Sequence, residues 1–434
     1  MDKTIFHIDV NSAYLSWEAV FRFQHGSEID LRTIPSVVGG DQESRRGIVL
    51  ARSIPAKKYS IETGEILFSA KQKCPYLVVV PPNYSLYVKC SNAMLQILRE
   101  YSSHLQRFSV DEVFLDYSGM EKHFWPPVEA AYTIKDRIHL ELGFTVNIGI
   151  SSNKLLAKMA GELSIPNKVH TLYPHEIEEK LWPLPVNKLY MVGRATTSKL
   201  HAMGIRTIGD LAKTAPKRLE FRLKSHGFLI WRYAHGLEDS LVRNDPLGMK
   251  GLGNSTTTAF DVEDTETAHK FLLSLVETVA ARLREAGYCC QLVSIGLKDT
   301  NFRYWSHQKK LFTATDSTEE IYSITKILLK ECWKGQPLRQ IGVHVSDLSS
   351  NQFVQYFIRV EPTIYIEFFA TCVFLDCRQS VFDDFHIAFY VCFHFVIGYQ
   401  LNRIFLGTSF SDFQHISPLG FITFFAKGGV FIIC

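Results

Sequence analysis

Through its first 165 residues the chain alternates between strand-like and helix-like hydrophobic patterning. Residues 4–10 (TIFHIDV) alternate and are β-prone, and the mixed-polarity run from Ser12 to Phe23 predicts a helix. A second β-prone run, Gly47 to Arg52, leads into Ser-Ile-Pro-Ala-Lys-Lys-Tyr, where the proline suits the first turn of a helix. Residues 76–80 (YLVVV) predict a buried strand and Tyr84 to Ser102 a long helix. Leu105 to Asp116 shows β alternation interrupted by Asp111-Glu112. Val128 to Leu142 predicts a helix, Thr145 to Ile150 a strand and Ser152 to Gly161 a further helix. Asp9 and the pair Asp111-Glu112 therefore break into apolar segments that should pack in one sheet.

Pro166, Pro174, Pro183 and Pro185 end this pattern and mark a boundary. Short helical segments fill Lys188 to Arg232, which carries 10 basic side chains against 2 acidic ones. Within it, LYMVGRATTSKLHAMGIRTIGDLA resembles a helix-hairpin-helix, in which a glycine turn such as that at Gly193 brings backbone N–H groups to a phosphate and Lys199 adds charge. After Asn244 to Gly248 the pattern changes again. Asn254 to Phe260, Cys290 to Lys298, Phe302 to Phe312 and Leu338 to Val345 predict strands, with helices over Asp264 to Glu285 and Thr318 to Trp333. That βαββαβ order is the ferredoxin-like pattern, and the chain as a whole is of the α+β class.

Composition changes this picture at one place. A length of 434 residues suggests about three domains and excludes a disulfide-stapled mini-protein, while 21% charged and 46% hydrophobic residues exclude a disordered chain. The net charge of +3 names no partner. From Ile358 onward, however, 77 residues hold 15 Phe and only 4 Lys and Arg. Residues from about 357 are expected to be a frameshifted or readthrough translation. A membrane anchor is disfavoured, since the apolar run Ile387 to Leu401 has 15 residues and a span needs roughly 20. No secretory leader is visible, and nine cysteines without a C-x-x-C pair predict reduced thiols in the cytoplasm.

The candidate chemistry lies in the polar interruptions. Half-buried carboxylates are costly unless paired or holding a metal, and oxygen-only ligands with few cations beside them point to Mg²⁺ or Mn²⁺. The bland alternative puts Asp111 and Glu112 in solvent beside a hairpin turn. Neighbours on a strand point to opposite faces, so these two can share a site only near a strand end or distortion. Lys57 and Lys58 follow the Pro55 turn, and Lys154 and Lys158 lie four apart on a helix opened by Ser151-Ser152-Asn153. Lysines and helix N-termini both suit phosphate oxygens, although such spacing is also common on a solvated face.

FHIDVNSAYLSWE, VLARSIPAKKYSI, FSVDEVFLD and NIGISSNKLLAKMA, in this order, resemble the Y-family of lesion-bypass DNA polymerases, nearest to the DinB/UmuC-type members, which include SOS mutagenesis proteins. The resemblance covers about residues 3 to 350. It implies a right-hand polymerase with a palm (1–20 and 76–166), fingers (21–75), a helical thumb (167–240) and a little finger (245–348). It implies template-directed, error-prone translesion synthesis from dNTPs on primer-template DNA, without proofreading. By motif position Asp9, Asp111 and Glu112 would be the catalytic metal ligands, with the Val10 carbonyl completing the set for two Mg²⁺ ions, which Mn²⁺ can replace. Tyr14 falls at the steric gate beneath the sugar. Lys57 falls at a triphosphate position that is Arg in many relatives, and Lys158 matches the second triphosphate lysine. Lys154 is read as structural, and Ser109 is assigned no chemistry.

The basic stretch becomes the thumb that grips duplex phosphates. In the little finger, Ser255 to Thr258, Lys298, Lys309 and Lys310 are candidates for backbone contacts. Gln352 to Phe357 is at best a degraded form of the sliding-clamp peptide of relatives, which keeps the replicative clamp as an expected partner. Two other readings are a catalytically impaired DNA-binding relative, against which the three retained carboxylates argue, and a nucleotidyl cyclase. A cyclase has no use for a basic thumb or a little finger.

Overall fold

The computed structural model describes residues 3–41, 45, 47–163, 166–244 and 248–351, together with the backbone of two strands, His394–Ile397 and Gln400–Arg403. The Phe-rich tail and the clamp-like Gln352 to Phe357 otherwise lie outside the described residues.

Chain order begins β1 (Ile5–Val10), α1 (Ala13–Gln24), β2 (Ser36–Gly39), β3 (Val49–Arg52), α2 (Ile54–Lys57), α3 (Leu67–Lys73) and β4 (Val78–Val80). It continues α4 (Tyr84–Arg99), β5 (Leu105–Arg107), β6 (Glu112–Asp116), α5 (Pro127–Leu142), β7 (Val146–Ser151), α6 (Lys154–Glu162) and β8 (Val169–Thr171). Strand β1 is the middle of a five-stranded sheet ordered β5-β6-β1-β7-β8. Its two faces divide by parity, as a pleated strand requires. Phe6, Ile8 and Val10 join Val113, Leu115, Ile148 and Ile150 in a core with Met94, Leu98, Ile134 and Ile138 of α4 and α5. His7 and Asp9 lie on the other face, where α6 packs.

Between β5 and β6, Phe108 to Asp111 form a turn closed by the Phe108 N–H donating to the Glu112 carbonyl at 2.9 Å. One expectation needs correction, the buried strand over 76–80. Residues 76–80 do not enter the large sheet. Val78 to Val80 pair parallel with Ser36 to Val38 in a separate sheet ordered β3-β2-β4, and Val78 there is an exposed residue rather than a buried one. Parallel pairing requires a crossover, and residues 40–77 supply it.

After the sheet the chain is helical, with α7 (Arg194–Ala202), α8 (Ile208–Lys213), α9 (Pro216–Leu223) and α10 (Ser225–Ala234) around a core of Leu200, Ile208, Leu211, Leu219 and Ile230. Gly204, at φ +83° between α7 and α8, takes the left-handed conformation that lets the chain reverse there. The connecting segment then returns along the large sheet: Leu105 N–H donates to Asn244 Oδ1 at 2.8 Å and Lys154 Nζ to the Leu241 carbonyl at 3.1 Å.

The last unit runs β9 (Gly251–Val262), α11 (Thr265–Glu285), β10 (Tyr288–Asp299), β11 (Tyr304–Thr315), α12 (Thr318–Cys332) and β12 (Leu338–Ser350). Its antiparallel strands lie in the order β11-β10-β12-β9, so β12 separates the parallel pair β9 and β10. Val293, Ile295, Leu297, Ile341 and Val343 pack with α11 and α12 on one face, leaving the other face of the sheet open.

Candidate active site

Register brings the carboxylates together. Asp9 pairs directly with Glu112, and Asp111 occupies the turn residue just before β6. A strand end is where two adjacent carboxylates can serve one site. Ser109 clasps this turn: its hydroxyl hydrogen-bonds the Asp111 carboxylate and accepts the Glu112 N–H at 3.1 Å. Val10, the last residue of β1, is tied in through its N–H to the Asp111 carbonyl at 3.1 Å.

Lys158 reaches the same place from α6. The helix lies close on β7 because Gly149 has no side chain; a Cβ there would stand 2.0 Å from the Ala157 carbonyl oxygen. That approach sets Lys158 Nζ 2.8 Å from Glu112 Oε1 and 3.6 Å from Glu162 Oε1. His7, only 1% exposed, presents Nε2 3.7 Å from Glu112 Oε2.

The electrostatics follow from this crowding. Burial, reinforced by the charges of Glu112 and Asp111, raises the Asp9 carboxyl to about 7. Burial would also raise Glu112, but the contacts from His7 and Lys158 overturn it and lower that carboxyl to about 2. Burial lowers the His7 imidazole below its ordinary value, against the raising pull of Glu112. Lys158 loses by burial and gains more from Glu112, so its ammonium is held above its ordinary range. As they stand, no three His, Cys, Asp or Glu side chains among the described residues converge into a metal cage. Asp111 is engaged by Ser109 and Glu112 by Lys158.

Tyr14 lies on the first turn of α1, half-buried, with its ring stacked on Tyr87 of α4 at 4.4 Å and 8°. Lys57 stands apart, exposed at the end of α2, where partial burial and the charge of Arg52 lower its ammonium. Lys154 turns away to Gln106 Oε1 and the Leu241 carbonyl.

The expected DNA contacts are scattered over two units. Gly193 is the exposed residue that caps α7, and Lys199 is exposed on its last turn. Lys298 and Lys310 pair with Tyr304 and Leu292 on the open side of the last sheet, and Lys310 forms an ion pair with Asp347 at 2.7 Å. Lys309, named with them, pairs with core residue Val293 and so belongs to the helix-covered side, at its exposed edge. The run Ser255 to Thr258 divides likewise, with Thr258 buried.

His7, Glu18 and Tyr87 escaped the sequence reading. His7 alone left a signal, a polar residue of the same parity as Asp9 in an otherwise apolar strand. Among the described residues no helix is long and apolar enough to cross a membrane.

Comparison with known proteins gives a consistent result. Family models match residues 8–162 (impB/mucB/samB family), 174–205 (IMS family HHH motif) and 249–356 (impB/mucB/samB family C-terminal domain). DNA polymerase IV of Clostridium acetobutylicum is 46% identical over 367 residues, 84% of this chain and 91% of the relative. DNA polymerase IV of Acetivibrio thermocellus is 36% identical over 351 residues, 80% of this chain and 86% of the relative. Among solved structures, a Y-family DNA polymerase chimera, Dbh-Dpo4(243-245)-Dbh, matches with a TM-score of 0.71 at 21% identity, covering 80% of this chain and 100% of the chimera. With the three models together spanning well over half its length, the chain belongs to the impB/mucB/samB family, the DinB-type branch of the Y-family DNA polymerases.

Proposed function

We propose that the meeting of Asp9, Asp111 and Glu112 at one end of the sheet is the nucleotidyl-transfer centre of a DNA-directed DNA polymerase that copies damaged templates. The chain is a translesion polymerase acting on DNA and nucleotides. The observation that supports the residue assignment is geometric: Asp9 pairs with Glu112 across β1 and β6 and Asp111 stands in the turn just before β6, so three carboxylates meet at one strand end, where burial and its neighbours raise Asp9 to about 7. Oxygen donors alone fit Mg²⁺, with Mn²⁺ as a substitute. Asp9, Asp111 and Glu112 would hold it, with the Val10 carbonyl beside them. When bound, such ions make a primer 3′-hydroxyl a better nucleophile and neutralise charge on the departing pyrophosphate.

The chain's own residues do the rest. Lys158, already buried beside Glu112, is placed to exchange that carboxylate for a triphosphate oxygen, and Lys57 supplies a second cation as a point charge without the bidentate fork of an arginine. In this reading the Tyr14 ring, on the first turn of α1, is the group that meets a ribose 2′-hydroxyl. The basic stretch 188–232 grips phosphates, with backbone N–H groups at the Gly193 turn and the charge of Lys199 among its contacts, and the open face of the last sheet adds Lys298 and Lys310. In this reading the large sheet is the palm, the small sheet the fingers, α7–α10 the thumb and the βαββαβ unit the little finger. β4 belongs with the fingers because it pairs with β2. The sliding clamp is proposed as a partner and the cytoplasm as the place of work, consistent with free Cys74, Cys90, Cys289, Cys290 and Cys332.

Primer extension with Mg²⁺ on intact and abasic templates tests this. Extension by the wild-type chain, abolished in Asp111→Ala/Glu112→Ala, is the expected result. Duplex binding without extension by the wild-type chain would favour the non-catalytic alternative. Extension by residues 1–350 but not by the full chain would mark the tail as a defect in the coding sequence.

A further inference from the structure

Glu18 is a buried carboxylate that nucleotidyl transfer does not use. It is 3% exposed, one turn beyond Tyr14 on α1, inside a cluster of Tyr14, Trp17, Tyr84 and Tyr87. Its two oxygens have separate partners. The Tyr87 hydroxyl donates to Oε1 at 3.1 Å, and Arg22 Nε donates to Oε2 at 3.4 Å.

A buried carboxylate is costly unless it is paired and hydrogen-bonded, and both oxygens of Glu18 are. What the carboxylate adds is direction. Aromatic pairs are found with ring centroids anywhere from about 4.5 to 7 Å apart, so stacking alone leaves room to slide and an offset loosely defined. Tyr87 is 1% exposed and its ring lies flat against that of Tyr14. The hydrogen bond from its hydroxyl to Glu18 removes the sliding freedom of that platform. Among the described residues no hydrogen bond reaches the Tyr14 hydroxyl, so the Tyr14 ring is held from its face. Burial and Glu18 raise the Tyr87 phenol, which therefore stays a donor throughout the working pH range.

We propose that Glu18 and Tyr87 are positioning residues for sugar selection: Glu18 pins Tyr87, and Tyr87 fixes the height and tilt of the Tyr14 ring under the incoming sugar. The proposal rests on the reading of Tyr14 as the residue that meets the 2′-position.

The test measures kcat/KM for a dNTP and for its rNTP counterpart in the full chain, with melting curves to confirm folding. Tyr87→Phe keeps the stack and removes the hydroxyl, and should raise relative ribonucleotide use about fivefold to tenfold, what one hydrogen bond is worth. Glu18→Gln retains an acceptor and should stay near wild type. The double variant Tyr87→Phe/Glu18→Leu leaves no buried orphan, folds, and should match Tyr87→Phe in selectivity. Equal losses for both sugars, or unchanged selectivity in Tyr87→Phe and the double variant, would overturn the proposal. Tyr14→Ala separates the two levels. If it admits ribonucleotides while Tyr87→Phe does not, only the positioning role fails; if it leaves selectivity unchanged, the gate reading fails first.

Discussion

Lys158 and Glu112 form a buried ion pair at 2.8 Å, and its existence depends on a residue that touches neither charge. Gly149 lets α6 lie on β7, and the helix delivers Lys158 over the ring of Phe108 to the carboxylate. Gly149→Ala would place a methyl group 2.0 Å from one backbone oxygen and 2.5 Å from the Gly161 nitrogen. Backbone cannot yield as a flexible side chain can. The expected cost is ~2–4 kcal/mol of stability, with primer extension lost, checked by chemical denaturation and by activity at a temperature where the variant is still folded.

Removing the cation is the complementary change. Lys158→Met leaves the fold's apolar contacts while Glu112 loses its donor, and it should raise the KM for dNTP at least tenfold with a smaller effect on duplex affinity. Steady-state kinetics alongside fluorescence-anisotropy binding distinguishes the two. Equal losses in both would place Lys158 in DNA binding instead.

The raised Asp9 carboxyl has a consequence for metal-free stability. Folding raises it from an ordinary 3.8 to about 7, so across that window the folded chain keeps a proton that the unfolded chain releases. Stability therefore falls as pH rises through the window and remains reduced above it. In EDTA, Asp9→Asn should melt several degrees higher than wild type at pH 8, and the gain should vanish near pH 4. Glu112 runs the opposite way. Lowered from 4.5 to about 2, it stabilises the fold above 4.5 and loses that contribution as pH falls toward 2. A gain from Asp9→Asn that is equal at pH 4 and pH 8 would sink this account.

On the last sheet, strand parity separates neighbouring lysines. Lys298→Ala and Lys310→Ala, on the open side, should each weaken duplex binding and reduce the salt slope by about 1. Lys309→Ala, on the helix-covered side, should leave the slope unchanged. Titrations at three or more salt concentrations decide it, and a reduced slope for Lys309→Ala would show that DNA wraps the sheet edge.

Much of this was legible along the chain because it is written in local terms. A carboxylate inside an apolar strand is conspicuous since its desolvation must be compensated, which is why Asp9, Asp111 and Glu112 stood out before any fold was known. The βαββαβ order and the basic helical stretch follow from hydrophobic period and charge in the same way. Lys309 shows the limit: its neighbour Lys310 carries the same charge, but the face on which each one lies depends on pairing with β10.

Local pattern thus determined the element types, the three out-of-place carboxylates and the polymerase-like order of motifs. Tertiary structure decided what those residues touch. Val78 to Val80 pair parallel with Ser36 to Val38 across a long crossover, in a sheet of their own with β3. Glu18 and Tyr87 are 69 positions apart and meet only when α1 and α4 pack, so neither could reveal the other in sequence. Side-chain contact across such separations depends on close packing of whole elements, and no stretch of a few residues contains it.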